Sequence, residues 1–425
     1  MKNNFFDFLE SRGFIHQSTD KESIKKLFKD EICAGYIGFD CTSDSIHVGS
    51  LLPLMILRNF QKFGHKPIIL LGGGTTLIGD PSGKDETRKI LTKEEIDNNK
   101  KKLRIIFEKF VSFDKNQVNC AVIVDNYDWL MQLKLIPFLR EVGSKFSVNK
   151  MINLESSKIR LEREQHLSFL EFNYSVLQAY DFVELFKKFK CKIQFGGSDQ
   201  WGNIISGIEL AKKMVNTTLF GVTTPLITTS TGQKMGKTAN GAIWLSKDKL
   251  KVSDFWQYWR NTSDSDVFQF LNYFTDLSSK DINELKNSKK DINELKIILA
   301  NEVTKICHSE KDSKNAEKEA NILTEGNVDL STIENCEKKI SIDEKRITKS
   351  YYLKETLTEL QLSSSNGESK RLISQGAVKL NEKVISNKEE LIRADMFKLV
   401  SQENNKKFLI IYVGKKKYGI IELVS

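Results

Sequence analysis

The sequence predicts an α/β protein with a Rossmann-like parallel sheet, followed by an α-helical region and a small α+β tail. Three observations carry that expectation. The first three hundred or so residues alternate short apolar runs with helical patterns, as a doubly wound sheet requires. The run Pro67–Leu71 is apolar throughout, which suits a parallel strand covered on both faces. Beyond about Lys247 the pattern turns helical and polar, and strands return only toward the C-terminus.

Each element has a local reason. Thr19-x-x-Glu22 reads as a capping box opening a helix to about Asp30, because hydroxyl and carboxylate reciprocally satisfy free N–H groups. Ala34 to Phe39 reads as a short buried strand, and His47 to Phe63 as a helix with Gly64 just past its end. Thr92-x-x-Glu95 opens another helix, and Cys120 to Asp125 follows as a strand. Leu167 to Phe189 reads as one long helix, Lys192 to Phe195 as a strand and Gly202 to Met214 as a helix. The hexapeptide Asp-Ile-Asn-Glu-Leu-Lys occurs at 281–286 and again at 291–296. Ten residues rotate the copies out of helical phase, so no solenoid is predicted. From about Gly326 to Lys345 the chain is polar and poor in aromatics, which reads as a linker. A helix from Tyr351 to Leu362, another from Lys370 to Gln375 and short strands complete the tail.

The chain has 425 residues, with 65 Lys and Arg against 56 Asp and Glu, a net charge of +9. At ~150 residues per domain this suggests about three domains. Hydrophobic residues at 40% and charged residues at 28% describe a globular chain and exclude a disordered one. No apolar run approaches the ~20 residues of a membrane span, and Met1 to Asp7 has no apolar signal core. The expectation is a cytoplasmic protein with no membrane partner. Cys33, Cys41, Cys120, Cys191, Cys307 and Cys336 are scattered without a CxxC pair, which reads as reduced thiols. With no HExxH and no His/Cys cluster, no protein metal site is predicted. From Lys345 to Ser425 there are 16 basic and 9 acidic residues, a net +7. A basic tail points to a polyanion, usually RNA, with a solvated surface as the plain alternative.

Two polar segments carry chemistry. The strand ending at Phe39 feeds a loop from Asp40 to Ser50 that enters a helix. Ligands of open α/β sheets sit beyond the carboxyl ends of strands, where a helix N-terminus offers N–H groups to phosphate. His47 there could donate to a phosphate, or could simply start the helix. Lys234-Met235-Gly236-Lys237-Thr238 follows the flexible stretch Thr228 to Gly232. Two lysines three apart on such a loop can fold over a triphosphate, although a lysine pair is more often only solvated. Familiar nucleotide loops are missing: Gly79 to Asp85 has the wrong spacing for a Walker A loop, and Gly72 to Leu77 lacks a third dinucleotide glycine.

Taken together, His47-Val48-Gly49-Ser50 resembles the HIGH motif, and Lys234 to Thr238 resembles KMSKS, both of class I aminoacyl-tRNA synthetases. Tyr36 to Asp40, Gly79 to Gly83, Tyr174 to Asp181 and Gly196 to Asn203 narrow the resemblance to bacterial-type tyrosyl-tRNA synthetases. It covers essentially the whole chain in order. Tyr174, Gln178 and Asp181 stand at i, i+4 and i+7, on one helix face. The resemblance implies that Asp181 and Tyr36 read the phenol of a tyrosine substrate, while Tyr174, Gln178 and Asp80 hold its ammonium group. For ATP it implies Thr42 and His47 at the phosphates, Gly49 in close approach to adenosine and Asp199 at the ribose with Gln200 beside it. Gly38, Asp40, Ser50, Gly197, Met235 and Thr238 would complete the nucleotide site. Lys84, Arg88, Lys234 and Lys237 would form a mobile basic clamp. ATP with Mg2+ is then a substrate, and no tightly bound cofactor is implied.

Ser50 replaces the second histidine of HIGH, Cys41 stands where proline is common, and Gly236 replaces the KMSKS serine. The tail resembles the small RNA-binding fold named after ribosomal protein S-four, through Ser369 to Asn381. Lys370 and Arg371 would face the RNA backbone, with Gly376 in the turn before a strand. The implied organisation is a catalytic domain at 1–246 with the ATP and tyrosine sites, a helical anticodon-side domain at 247–326, a linker at 327–345 and an RNA-binding domain at 346–425. Partners would be tRNA(Tyr), tyrosine, ATP and a second copy of the chain. A tryptophan-specific relative would share the motif pair without Tyr36, Asp181 or the basic tail. An RNA-binding scaffold that had lost chemistry would have no need for Asp80, Asp181, Lys234 and Lys237 together.

Overall fold

A computed structural model describes residues 4–80, 91–228, 235–238, 241–325, 336, 338–347, 351–381, 383–399, 407–414 and 417–424. The chain divides into two compact units, Met1–Glu310 and Lys311–Ser425.

In the first unit, strands β1 (Gln17–Ser18), β2 (Ala34–Asp40), β3 (Lys66–Gly72), β4 (Val122–Asp125), β5 (Cys191–Gly197) and β6 (Phe220–Thr224) form one sheet. Their order is β1-β6-β5-β2-β3-β4. All neighbours from β6 to β4 are parallel, and β1 is antiparallel at the edge. The chain runs outward from β2 to β3 and β4, then returns to β5 and β6 on the opposite side. The order therefore reverses between β2 and β5, and a crevice opens there at the carboxyl ends. Register puts Tyr36 beside Ile68 and Gln194, and Asp40 beside Gly72.

Both sheet faces are covered, as the unbroken apolar run predicts. On one side Phe60 packs against Phe5 and Phe195 with centroids 5.2 and 5.3 Å apart. On the other, Phe182, Val183, Leu210 and Leu219 bury Tyr36 and Ile68. Each such side chain contributes about 1.5–3 kcal/mol of transfer free energy.

The local expectations are met with informative exceptions. The helix Lys21–Asp30 is capped by Asp20, whose carboxylate accepts from the Ser23 N–H. Thr19 is engaged elsewhere, its N–H donating to Gly221 and its hydroxyl accepting from Gly221, so sheet pairing takes the residue that the capping box would need. The box Thr92/Glu95 forms as expected and opens the helix Lys93–Phe107. The helix read from Leu167 to Phe189 is two helices, Phe169–Phe172 and Tyr174–Phe189, meeting at Asn173. A second capping box, Ser168/Glu171, starts the short one. The helix read from His47 begins as a 3-10 turn, Val48–Ser50, before Leu51–Lys62.

Helices Val252–Arg260, Val267–Phe274, Ser279–Asn287 and Ile292–Cys307 follow. Trp256 and Trp259 are fully buried among them, and the Trp256 indole donates to Asn301 at 2.7 Å. These helices are pinned to the N-terminal part. The Arg12 guanidinium donates to Asn272 O at 2.9 Å, the Tyr273 hydroxyl to Gly13 O at 2.9 Å, and Arg58 pairs with Asp276 at 2.6 Å. The boundary drawn at 246/247 therefore runs through one compact unit.

The second unit holds the helix Glu310–Glu325 from Lys311 onward, and a sheet. Its strands are β9 (Lys339–Asp343), β10 (Val378–Leu380), β11 (Lys383–Ile385), β13 (Lys407–Val413) and β14 (Lys417–Val424), ordered β11-β10-β13-β14-β9, with β12 (Lys398–Leu399) paired to β13. Of the linker read at 327–345, residues 327–335 and 337 lie outside the described residues, and the rest is corrected here. Residues 339–343 are a strand lying parallel to β14, and Ile342 is buried in the core of this unit with Leu353, Leu357, Ile373 and Ile421. The alternation Ile340/Ile342 is too short to stand out from its polar surroundings. The first tail helix is Leu353–Glu359 and the second Asn366–Ser374. Gly376 has φ +66° in the turn before β10, where a left-handed residue is needed.

Candidate active site

A cleft of about 450 Å3 opens at the β2/β5 reversal. Its inner end is lined by Tyr36 from β2, Gln194 from β5 and Asp181 from the helix Tyr174–Phe189. Tyr36 is fully buried, and its hydroxyl has no partner among the described residues. Burial first, and the nearby Asp181 second, push its pKa well up. Asp181 is 1% exposed. Its Oδ1 accepts from the Trp129 indole at 2.7 Å and its Oδ2 from the Asn126 amide at 2.9 Å. Burial raises the Asp181 pKa to about 7, against the lowering effect of those two donors. Each carboxylate oxygen retains acceptor capacity for a further donor.

Asn126 ties this floor to the strand ends. Its Oδ1 accepts from the Gly74 and Thr75 N–H groups at 2.8 and 3.4 Å, and its Nδ2 also donates to Thr75 Oγ1 at 3.1 Å. The Thr75 hydroxyl donates to Asp40 Oδ1 at 3.0 Å, and the Tyr174 hydroxyl lies 3.3 Å from both oxygens of Asp40. A second line runs from Gln178 Nε2 to Gln200 Oε1 at 3.2 Å, and from Gln200 Nε2 to Asp80 Oδ2 at 3.0 Å. Two carboxylates, a phenol and two amides thus surround the middle of the cleft, an arrangement that suits a cation.

At the outer end, Gly38, Thr42, His47, Ser50 and Gly197 line the wall. The His47 Nδ1 accepts from the Gly49 N–H at 3.1 Å, capping the 3-10 turn. An imidazole accepting at Nδ1 carries its proton on Nε2 when neutral, which makes that nitrogen the donor.

The two motif segments meet backbone to backbone. Met235 is buried, and a Cβ on Gly49 would lie 2.4 Å from its carbonyl oxygen. Gly236 has φ +103°, and a Cβ there would lie 2.6 Å from His47 Nδ1. A serine at 236 would need both the left-handed backbone and the space that the imidazole fills. This is the physical reason for glycine in this chain.

Among the sequence-predicted residues, Tyr36, Gly38, Asp40, Thr42, His47, Ser50, Asp80, Tyr174, Gln178, Asp181, Gly197 and Gln200 all line one cleft. Gly49 and Met235 form the backing of its outer wall rather than its lining. Asp199 does not line it either; its Oδ1 is turned onto Gly197. The backbone of Lys237 and Thr238 forms β7 (Lys237–Thr238), paired with β8 (Gly241–Ala242). Their side chains, and Lys84, Arg88 and Lys234 altogether, lie outside the described residues. In the tail, Arg371 is exposed, whereas Lys370 is half-buried and 3.3 Å from Glu389. Sequence reading missed Asn126, Trp129, Thr75 and Gln194, each an unremarkable residue within its own stretch of sequence. Among the described residues no group of three or more His, Cys, Asp and Glu side chains could hold a metal ion.

Residues 29–325 match the family described as tRNA synthetases class I (W and Y). A tyrosine–tRNA ligase of Pelagibacter ubique (strain HTCC1062) is 45% identical over 425 residues, covering 99% of this chain and 100% of that one. A tyrosine–tRNA ligase of the Wolbachia of Brugia malayi is 46% identical over 98% of each chain. A C-terminally truncated mitochondrial tyrosyl-tRNA synthetase of Aspergillus nidulans superposes with TM-score 0.66 at 28% identity, covering 74% of this chain and 92% of that one. The Plasmodium falciparum tryptophanyl-tRNA synthetase, at 16% identity and TM-score 0.51, shares the fold. A full-length likeness of this strength, on a chain whose two motifs meet at one cleft, makes it a member of the tyrosine–tRNA ligase family of class I aminoacyl-tRNA synthetases.

Proposed function

We propose that this chain activates tyrosine with ATP and transfers the tyrosyl group to the 3′ end of tRNA(Tyr). The observation that carries the choice of amino acid is the buried pair of Tyr36 and Asp181 at the end of the cleft. Both are polar, and the Tyr36 hydroxyl lacks a partner among the described residues. A substrate phenol donates to Asp181 and accepts from Tyr36. Phenylalanine leaves the Tyr36 hydroxyl unpaired and denies the buried Asp181 carboxylate the donor it has room for, a discrimination for which tyrosine activation is the standard illustration.

The substrate ammonium sits among Asp80, Tyr174 and Gln178, and its carboxylate points toward the outer wall. There the carboxylate oxygen attacks the α-phosphorus of ATP in line. The new C(O)–O–P bond forms as the bond to pyrophosphate breaks, and the departing pair stays on pyrophosphate. No covalent enzyme intermediate is needed, so the protein contributes positioning and stabilisation of phosphoryl charge. His47 Nε2–H and Thr42 face the phosphates; on the family's pattern Gly49 and Asp199, which do not line the cleft here, are assigned to adenosine and its ribose. Lys84, Arg88, Lys234 and Lys237 are assigned the mobile basic clamp on the family's pattern. Mg2+ arrives with the triphosphate, held by phosphate oxygens and water. A hydroxyl of the terminal ribose of tRNA then attacks the acyl carbon of the adenylate, forming the ester as the C(O)–O bond to AMP breaks; AMP leaves with the electron pair and the hydroxyl proton is lost.

The working form is a homodimer in the cytoplasm. Supporting the dimer, Met131, Leu135, Ile136 and Leu139 are 45–70% exposed in a stretch just after Trp129. Supporting the compartment, all six cysteines are free thiols. The basic tail of the second unit, residues 345–425, holds tRNA, with Arg371 exposed on its helix. The test is a chain ending at 310, assayed for tyrosine-dependent pyrophosphate exchange and for tRNA charging. Exchange kept within about twofold with charging reduced at least about tenfold supports the assignment; equal loss of both, or unchanged charging, contradicts it.

A further inference from the structure

Beyond the groups assigned to substrate, an ionic chain runs away from His47. Asp44 lies in the loop between β2 and His47. Its Oδ1 pairs with Lys249 at 2.5 Å, and its Oδ2 with Lys102 of the helix Lys93–Phe107 at 2.8 Å. Asp44 is 23% and Lys249 33% exposed in their side chains, so the pair is partly shielded from water. The ammonium of Lys249 lies 5.1 Å from the centre of the Trp244 ring. Trp244 in turn meets the His47 imidazole edge to face, with centroids 6.1 Å apart, and it lines the cleft.

The backbone repeats the connection. Val48 N–H donates to Ile243 O at 2.9 Å, Leu245 N–H to Ile46 O at 2.8 Å, and Ile243 N–H to Gly236 O at 3.2 Å. The segment that leaves the lysine loop is thus strapped across the His47 turn. Asp44 and Lys249 close the strap at its far end.

We propose that Asp44, Lys249 and Trp244 are positioning residues for the nucleotide half of the reaction. The Asp44–Lys249 pair fixes Trp244 over His47, which holds the imidazole and the base of the 235–238 segment in the geometry that receives the ATP phosphates. This rests on the assignment of His47 to those phosphates. None of the three touches the amino-acid end of the cleft, so their effect falls on turnover and ATP use and leaves tyrosine binding alone. Lys102 also pairs with Asp44 but leads to a different helix, so it serves as the internal control.

The experiment is steady-state pyrophosphate exchange, with equilibrium tyrosine binding, on the full chain and on Lys249→Met, Lys249→Arg, Lys102→Met and Asp44→Asn. The expected result is a kcat for activation lowered about tenfold in Lys249→Met and Asp44→Asn, with tyrosine affinity within about twofold of the parent. Lys249→Arg, which keeps the ion pair and the ring contact, restores most of the rate. Lys102→Met stays within about threefold. Equal losses in Lys102→Met and Lys249→Met, an unchanged rate in Lys249→Met, or a parallel loss of tyrosine affinity would each overturn the proposal while the assigned function stands. A folded parent protein without any exchange would overturn the assigned function, and this proposal with it.

Discussion

The Trp129 indole donates to Asp181 Oδ1 at 2.7 Å, from a position fifty-two residues earlier in the chain. Together with Asn126 it keeps a fully buried carboxylate near the middle of the titration range instead of permanently protonated. Trp129→Phe keeps the ring and removes the donor. A hydrogen bond to a charged group contributes about 1.5–3 kcal/mol, so kcat/KM for tyrosine should fall roughly ten- to a hundredfold. Steady-state exchange at neutral pH checks this, and a change below about twofold would mean the indole does not hold Asp181.

The Asp181 pKa gives two pH dependences of opposite sign. It is raised from 3.8 to about 7, with burial the largest cause. Between those values the folded protein holds a proton that the unfolded chain has released. Its contribution to stability is therefore fully present below the unfolded value and is lost as pH rises through about 7. Substrate binding runs the other way, because the phenol donates to the ionised form. Apparent tyrosine affinity should strengthen from about pH 6 to about pH 8, and that slope should vanish in Asp181→Asn. A slope surviving in Asp181→Asn assigns it to another group.

Gly236 and Gly64 both have positive φ, at +103° and +92°, but only Gly236 has neighbours where a Cβ would go. Gly64→Ala should cost only the left-handed penalty of about 1–2 kcal/mol. Gly236→Ala adds a collision with His47 and should raise the KM for ATP several-fold, while Gly64→Ala leaves it unchanged. Paired denaturant melts and ATP titrations separate the two. Equal ATP KM values would contradict the reading of the 236 position.

Arg160 and Glu171 form an ion pair 3.2 Å long, with side chains only 4% and 6% exposed. Glu171 also accepts from the Ser168 hydroxyl and N–H, fixing the short helix just ahead of Tyr174. Arg160→Met strands a buried carboxylate and should destabilise the protein by about 3–5 kcal/mol. Urea unfolding measures it; a loss under about 1 kcal/mol would mean water reaches Glu171.

What could be read in advance followed from local chemistry. Apolar run length gave β3, Thr92/Glu95 gave a helix start, and the spacing of Tyr174, Gln178 and Asp181 gave one helix face. What escaped depended on partners distant in the chain. Asp20 caps the helix because Gly221 engages Thr19, and Asn126 belongs to the floor because β3 and β4 are neighbours. Ile342 becomes core only when β14 lies beside it. The lysine-loop glycine was legible as a departure from pattern, but its cause is the His47 imidazole.

The most direct measurement is amino-acid-dependent exchange of pyrophosphate into ATP, without tRNA, offering tyrosine, phenylalanine and tryptophan separately. The Tyr36/Asp181 floor predicts exchange with tyrosine alone. Exchange with tryptophan or with phenylalanine at a comparable rate would leave the fold in place and contradict the pocket, and no exchange from folded protein would contradict the activity itself.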